Sequence, residues 1–226
     1  MRGRYYDGIS LRNRRPTNMD SLLVKERTIA GEWICLAVVC DGVGSLESGA
    51  LAASQAVQQL GAWLNGLEDI SRAGLNLRQA VLRINEQIID QARNLGIRTA
   101  TTLSALLLTG GRYYIVHAGD SRIYSWGEEG LRQLTRDDIT QEGKLSECIG
   151  RSSRPSLFYS EGESEKRIFL LCSDGLYKRM EPDYLSRQLE RADRGEFRKA
   201  MEHLVEYVVD RGEPDNISVA IVKSRG

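Results

Sequence analysis

Four apolar runs in this chain each abut an aspartate, and that pairing limits the fold more than any other feature. Residues 34–40 lead into Asp41-Gly42-Val43-Gly44, residues 113–118 into Gly119-Asp120-Ser121-Arg122, and residues 168–172 into Ser173-Asp174-Gly175. The fourth run, 217–222, begins directly after Asp215-Asn216. A stretch apolar at nearly every position, as 32–39 is, fits a strand covered on both faces. If such strands share one core, their ends gather several carboxylates in a small volume. Like charges that close raise one another's pKa unless a cation neutralises them. Oxygen ligands with no accompanying His or Cys suit a hard divalent ion, Mg²⁺ or Mn²⁺. The pattern points to metal-dependent hydrolysis, with phosphate esters as natural substrates.

Composition removes several other classes. The 31 basic and 31 acidic side chains cancel, so no global field favours nucleic acid or an anionic membrane. Arg12, Arg14 and Arg15 form a local basic cluster, whose plain reading is a solvated surface. Cys35, Cys40, Cys148 and Cys172 show no Cys-x-x-Cys spacing, so neither a zinc site nor a redox motif is indicated. The start, Met1-Arg2-Gly3-Arg4-Tyr5, lacks the apolar stretch of a signal peptide, and no run approaches a membrane span. A cytoplasmic protein with reduced thiols is the expectation.

Periodicity gives the order of elements. Strands are expected at 21–27 and 32–39 around Ala30-Gly31. Leu46, Ala50, Ala53, Val57, Leu60 and Leu64 then recur at helical spacing. A second helix runs from about Leu77, with Asn76 as N-cap, Gln79 completing a capping box and Gly96 ending it. Strands follow at 101–108, 112–117, 121–126 and 131–134, separated by Gly110-Gly111 and residues 128–130. Residues 137–165 read as loop with one helical turn. The pattern closes with a strand at 167–172, helices at 182–190 and 196–211, and a strand at 219–222. Helices in pairs argue against a doubly wound sheet and for antiparallel sheets flanked by helix pairs. No linker or repeat interrupts 1–226, so one domain is expected.

Seven segments occur in a telling order: Arg15-Pro-Thr-Asn18-Met-Asp20-Ser21, Asp41-Gly42-Val43-Gly44, Thr101-Thr102-Leu103, Gly119-Asp120-Ser121-Arg122, Leu134-Thr135-Arg136-Asp137, Leu171-Cys172-Ser173-Asp174-Gly175-Leu176 and Asp215-Asn216-Ile217-Ser218. On these residues the chain resembles the metal-dependent protein serine/threonine phosphatases, the PPM or protein phosphatase 2C-like family, in its compact bacterial form. The resemblance implies an α+β fold, a four-layer α-β-β-α sandwich of two antiparallel sheets flanked by helix pairs. It implies a site for two Mn²⁺ or Mg²⁺ ions with a weaker third. Asp41 would bridge the two ions and the Gly42 carbonyl would bind one of them, while Asp174 and Asp215 hold the other. Asp20 would act beside them through bound water, and Asp120 with Asp174 would support the third ion. Arg15 would bind the substrate phosphate through its planar fork. With Arg15, Asp20 and Asp41 as catalytic residues, a metal-activated water attacks phosphoserine or phosphothreonine in line. The implied partner is a phosphorylated protein in a circuit with a cognate bacterial Ser/Thr kinase or its targets.

The match has departures. Met19 stands where the family usually carries Glu, and Gly49-Ala50 replaces a Gly-Glu pair. Asp138 replaces a His, and only about ten residues separate it from Ile149-Gly150, so the flap beside the site is shortened and the cleft more open. These departures keep an alternative in view, a degenerate phosphatase domain serving as a phosphoprotein-binding or regulatory module. His117, beside Gly119-Asp120, reads as catalytic or as a structural strand residue, and its place in the run favours the second. His203 is expected at the surface, and Trp33, Trp63 and Trp126 in packing roles.

Overall fold

The computed structural model describes residues 5–44 and 48–225. Its elements run β1 (Tyr6–Leu11), β2 (Asp20–Ile29), β3 (Glu32–Asp41), α1 (Gly49–Gly66), α2 (Ala73–Leu95), β4 (Leu103–Thr109), β5 (Arg112–Ala118), β6 (Arg122–Gly127) and β7 (Gly130–Gln133). Then come β8 (Phe158–Glu163), β9 (Ile168–Cys172), α3 (Asp174–Tyr177), α4 (Pro182–Asp193), α5 (Phe197–Asp210) and β10 (Ile217–Lys223). One sheet has the order β1-β10-β9-β6-β7 and the other β2-β3-β4-β5-β8. Every pairing between these strands is antiparallel.

Alternation of side chains across the pleat builds four layers from these two sheets. On β3, Ile34, Leu36, Val38 and Cys40 pack under α1 and α2, whereas Cys35, Ala37 and Val39 meet the opposite sheet. On β9, Ile168, Leu170 and Cys172 lie under α4 and α5, and Phe169 and Leu171 point between the sheets. This is the expected α-β-β-α sandwich, and it explains why these runs carry no polar face. Removing a fully buried side chain such as Leu36 costs about 2–5 kcal/mol. Among the described residues, no helix is long and apolar enough to cross a membrane.

Several local expectations need correction. Leu46, assigned above to the first helix, lies outside the described residues. The second helix starts at Ala73 with Arg72 as N-cap, and the Asn76 N–H donates to the Arg72 carbonyl inside its first turn. Packing sets this start: a Cβ on Gly74 would lie 2.3 Å from the Tyr159 hydroxyl and 2.4 Å from Tyr114 Cδ1, so the helix rests directly on β5 and β8. Gly96 does end it, in the left-handed region at φ 64°. The segment 137–165 holds no helical turn but does hold β8, and β1 and α3 escaped the sequence pattern altogether. His203 is not a free surface residue. It is half-buried in the α4–α5 seam, where Nδ1 contacts Arg191 and lies 3.3 Å from Gln188 Oε1. The four cysteines are free and buried.

Candidate active site

Antiparallel pairing brings the predicted carboxylates to one end of the sandwich. Asp20 opens β2 and Asp41 closes β3, and the two are direct register partners. Gly119, at φ +117°, turns the chain out of β5 into Asp120; a Cβ there would lie 2.7 Å from Thr102 Cβ. Asp174 is the first residue of α3, immediately after β9, and Asp215 stands just before β10. Asp41, Asp120, Asp174 and Asp215 line a cleft of about 350 Å³ together with Arg15 and Met19. Asp20 sits behind this wall, 7% exposed, and accepts a 2.8 Å hydrogen bond from Ser173 Oγ.

Neighbouring polar groups fix the backbone that carries these side chains. The Thr102 hydroxyl accepts the Asp41 N–H at 2.9 Å, while the Asp41 carbonyl accepts from Thr102 N–H at 2.8 Å and Thr101 Oγ1 at 2.9 Å. Gly42 is constrained by something other than room for a ligand. A Cβ there would stand 2.5 Å from the Gly49 carbonyl carbon, and one on Gly49 would meet the Gly42 carbonyl carbon at 2.8 Å, so α1 begins against the Asp-Gly turn. Asn216 ties down the basic loop: its Oδ1 accepts from Met19 N–H, and its Nδ2 donates to the Arg12 and Thr17 carbonyls. Asn13 returns the tie, donating to the carbonyls of Glu213 and Asp215 at 2.7 and 2.8 Å. The basic cluster is therefore a stapled edge of the cleft rather than only a solvated surface. Ser173, Thr101, Thr102 and Asn216 were visible as motif members, but their positioning roles were not.

The charges divide unevenly. Burial, followed by the charges of Asp20 and Asp174, raises the Asp41 carboxyl well above the usual carboxylate range. Burial likewise pushes Asp20 and Asp120 up to about 6. Across the cleft, burial works against Asp215 ionisation, but hydrogen bonds from Arg15 and the Asn216 N–H hold its pKa below the usual value. Arg15 makes a two-pronged contact there, Nε to Oδ1 at 2.9 Å and Nη2 to Oδ2 at 2.8 Å. Lys178, which carried no sequence signal, grips Asp174 one helical turn back. Among the described residues, no three His, Cys, Asp or Glu side chains stand close enough together to hold a metal as arranged. The donor set still suits a hard cation: it is all oxygen, and Asp20, Asp41 and Asp120 have no ion-pair partner among the described residues.

The residues around Asp120 are locked rather than reactive. His117 is fully buried, with Nδ1 2.9 Å from Ser104 Oγ and Nε2 3.0 Å from the Arg136 carbonyl, a structural setting. Desolvation by burial lowers its pKa, against the pull of Asp138. Asp138, in the family's His position, clasps the turn: its Oδ2 accepts from Gly119 N–H at 2.9 Å and its own N–H donates to the Gly119 carbonyl at 2.8 Å. Arg122 pairs with Asp137 at 2.6 Å and lies over the Tyr177 ring at 3.6 Å, bracing α3 behind Asp174. The short flap folds back at Gly143 through an Ile139–Leu145 bridge and presents Leu145 to the cleft.

Fold and cleft together define a class: a four-layer sandwich whose two sheets deliver an all-oxygen acidic pocket with one arginine at its edge. The family model described as protein phosphatase 2C matches residues 10–215, and the chain belongs to that family. It is 27% identical to the serine/threonine protein phosphatase PstP of Mycobacterium tuberculosis over 92% of this chain but 42% of that protein, so it spans less than half the length of that relative. Identity to the serine/threonine phosphatase stp of Listeria welshimeri is also 27%, covering 83% of this chain and 84% of that one. The catalytic domain of PstP in complex with two manganese ions superposes with a TM-score of 0.79 at 26% identity, covering 96% of each chain.

Proposed function

We propose that the protein is a metal-dependent phosphatase that removes phosphate from phosphoserine and phosphothreonine in proteins. The observation that carries this reading is the convergence of Asp41, Asp120, Asp174 and Asp215 with Arg15 on one cleft, with Asp20 directly behind. Asp41, Asp174 and Asp215, with the Gly42 carbonyl, would hold two Mn²⁺ or Mg²⁺ ions, and Asp120 would support a weaker third. When bound, such ions acidify water for in-line attack on phosphorus and neutralise charge on the phosphoryl oxygens. The chain's residues do the rest. Arg15, whose Nε and Nη2 are engaged by Asp215, would turn its remaining N–H donors to the phosphoryl oxygens and orient phosphorus. Asp20, held by Ser173, adds negative charge behind Asp41 and sharpens the demand for a cation. The substrate protein would be phosphorylated by a bacterial Ser/Thr kinase, and the buried free thiols suit a reducing cytoplasm.

Mn²⁺-dependent hydrolysis of p-nitrophenyl phosphate and a phosphothreonine peptide, lost in Asp174→Ala, is the expected result. Turnover no higher than that variant's sinks the enzyme reading. A second reading, a phosphoprotein-binding module without turnover, draws on the ion pairs that engage Asp174 and Asp215. It predicts phosphopeptide binding with no metal-dependent release of phosphate.

A further inference from the structure

A second cavity adjoins the acidic cleft, and Val43 and Leu145 form the wall common to both. It encloses about 740 Å³ between the C-terminal half of α2 and the short flap. Its apolar lining includes Ile89, Ala92 and Ile97. Its charged lining is entirely basic among the described residues: Arg93, Arg98, Lys144 and Arg151. In a chain whose 31 basic and 31 acidic side chains balance, four cations around one apolar groove are a local excess. Arg93 is paired with Asp90, and Arg151 reaches back to the Leu145 and Ser146 carbonyls. Arg98 and Lys144 are exposed and form no ion pair among the described residues.

We infer that this groove binds the segment of the substrate protein next to the phosphorylated residue, and that it selects an apolar side chain accompanied by acidic ones. The inference rests on the phosphatase reading of the adjoining cleft and deepens it to a substrate class. Continuity through Val43 and Leu145 lets one extended segment occupy both cavities. Charge complementarity fixes its sign: aspartate or glutamate meets Arg98 and Lys144, while a leucine-like side chain covers Ile89, Ala92 and Ile97. A basic segment would place like charges against two unpaired cations. The flap turns back at Gly143 and sets Lys144 and Leu145 on the rim of the groove.

The test compares phosphothreonine peptides flanked by Asp and Leu, by Asp and Gly, and by Lys and Leu. Each is assayed by fluorescence anisotropy and by KM and kcat, with every rate divided by the same variant's turnover of p-nitrophenyl phosphate. Wild type is expected to bind the Asp–Leu peptide tightest, with the preference in KM rather than kcat. The double variant Arg98→Glu, Lys144→Glu should weaken that binding about tenfold at low salt, as two exposed contacts reversed in sign would. It should also improve binding of the Lys–Leu peptide, and salt should shrink both effects. Equal binding of all three peptides, or binding unmoved by the double variant, overturns the proposal. Self-association of wild type that the double variant abolishes also overturns it, by giving the face to a second copy. If wild type fails to hydrolyse p-nitrophenyl phosphate with Mn²⁺, the phosphatase reading fails, while anisotropy still decides on the groove.

Discussion

On the β2–β3 side of the cleft, Asp20 and Asp41 face each other across paired strand ends, with no cation in contact among the described residues. On the β9–β10 side, Lys178 grips Asp174 and Arg15 grips Asp215. Both sides deliver aspartates by the same device, a buried strand ending or beginning at a carboxylate. One side is left short of positive charge and the other is compensated from within the chain. The difference teaches that the demand for a cation is concentrated on Asp20 and Asp41. The opposite wall must trade its own ion pairs for any metal it binds.

The largest expected effect tests the uncompensated side directly. Asp41→Asn should lower kcat on p-nitrophenyl phosphate on the order of 10³-fold, the scale of losing a central electrostatic group; a fall of less than tenfold would shift the burden to the other wall. Next comes the cost of crowding. Because the folded pKa of Asp20 is about 6, above its value in the unfolded chain, its charge adds no cost at low pH, where the carboxyl is protonated. Its penalty develops as pH rises from about 4 through 6 and is complete above that. Metal-free Asp20→Asn should therefore be more stable than wild type by about 2–3 kcal/mol near pH 7 in urea unfolding, with the gap closing near pH 4. A gap that is the same at both pH values would remove the charge explanation.

On the compensated side, Arg15→Ala should raise KM for a phosphopeptide roughly thirtyfold, as expected for a lost charge-assisted contact. A KM that stays put while kcat alone falls would assign Arg15 to steadying Asp215. The smallest effect belongs to Lys178→Gln, which frees Asp174 from an exposed partner and should tighten Mn²⁺ binding about threefold by calorimetry. Weaker binding in that variant would make Lys178 a support for Asp174 instead of a competitor.

Much of this site was legible because buried runs and polar turns are sharp signals. Residues 34–40, buried on both pleat faces, could not be mistaken, and the aspartate that follows is where such a strand must stop. The strands that escaped, β1 and β8, are both sheet edges with a neighbour on one side only. Their sequences, with Asp7, Gly8 and Ser10 in one and Ser160, Glu161 and Gly162 in the other, lack an apolar run: only Asp7 and Ile9 of β1 are buried, and no residue of β8 is. The α3 helix, Asp174–Tyr177, is too short for any periodicity to register. Asp20, Asp41, Asp120, Asp174 and Asp215 could be read from motifs, but the partition between them could not. It depends on Lys178 and Arg15 reaching particular carboxylates, which is decided by tertiary geometry.

The staple between Asn216 and the loop 12–19 ties together residues some 200 positions apart, as does the contact of Arg15 with Asp215. That span sets a clock on the ribosome. A nascent chain already holds Asp41, Asp120 and most of both sheets long before Asp215 is made, yet its arginine loop has nothing to close upon. Long-range pairings of this kind form late in folding. Synthesis of β10, which enters between β1 and β9, brings Asp215 and Asn216 to the arginine loop and completes the row of acidic strand ends.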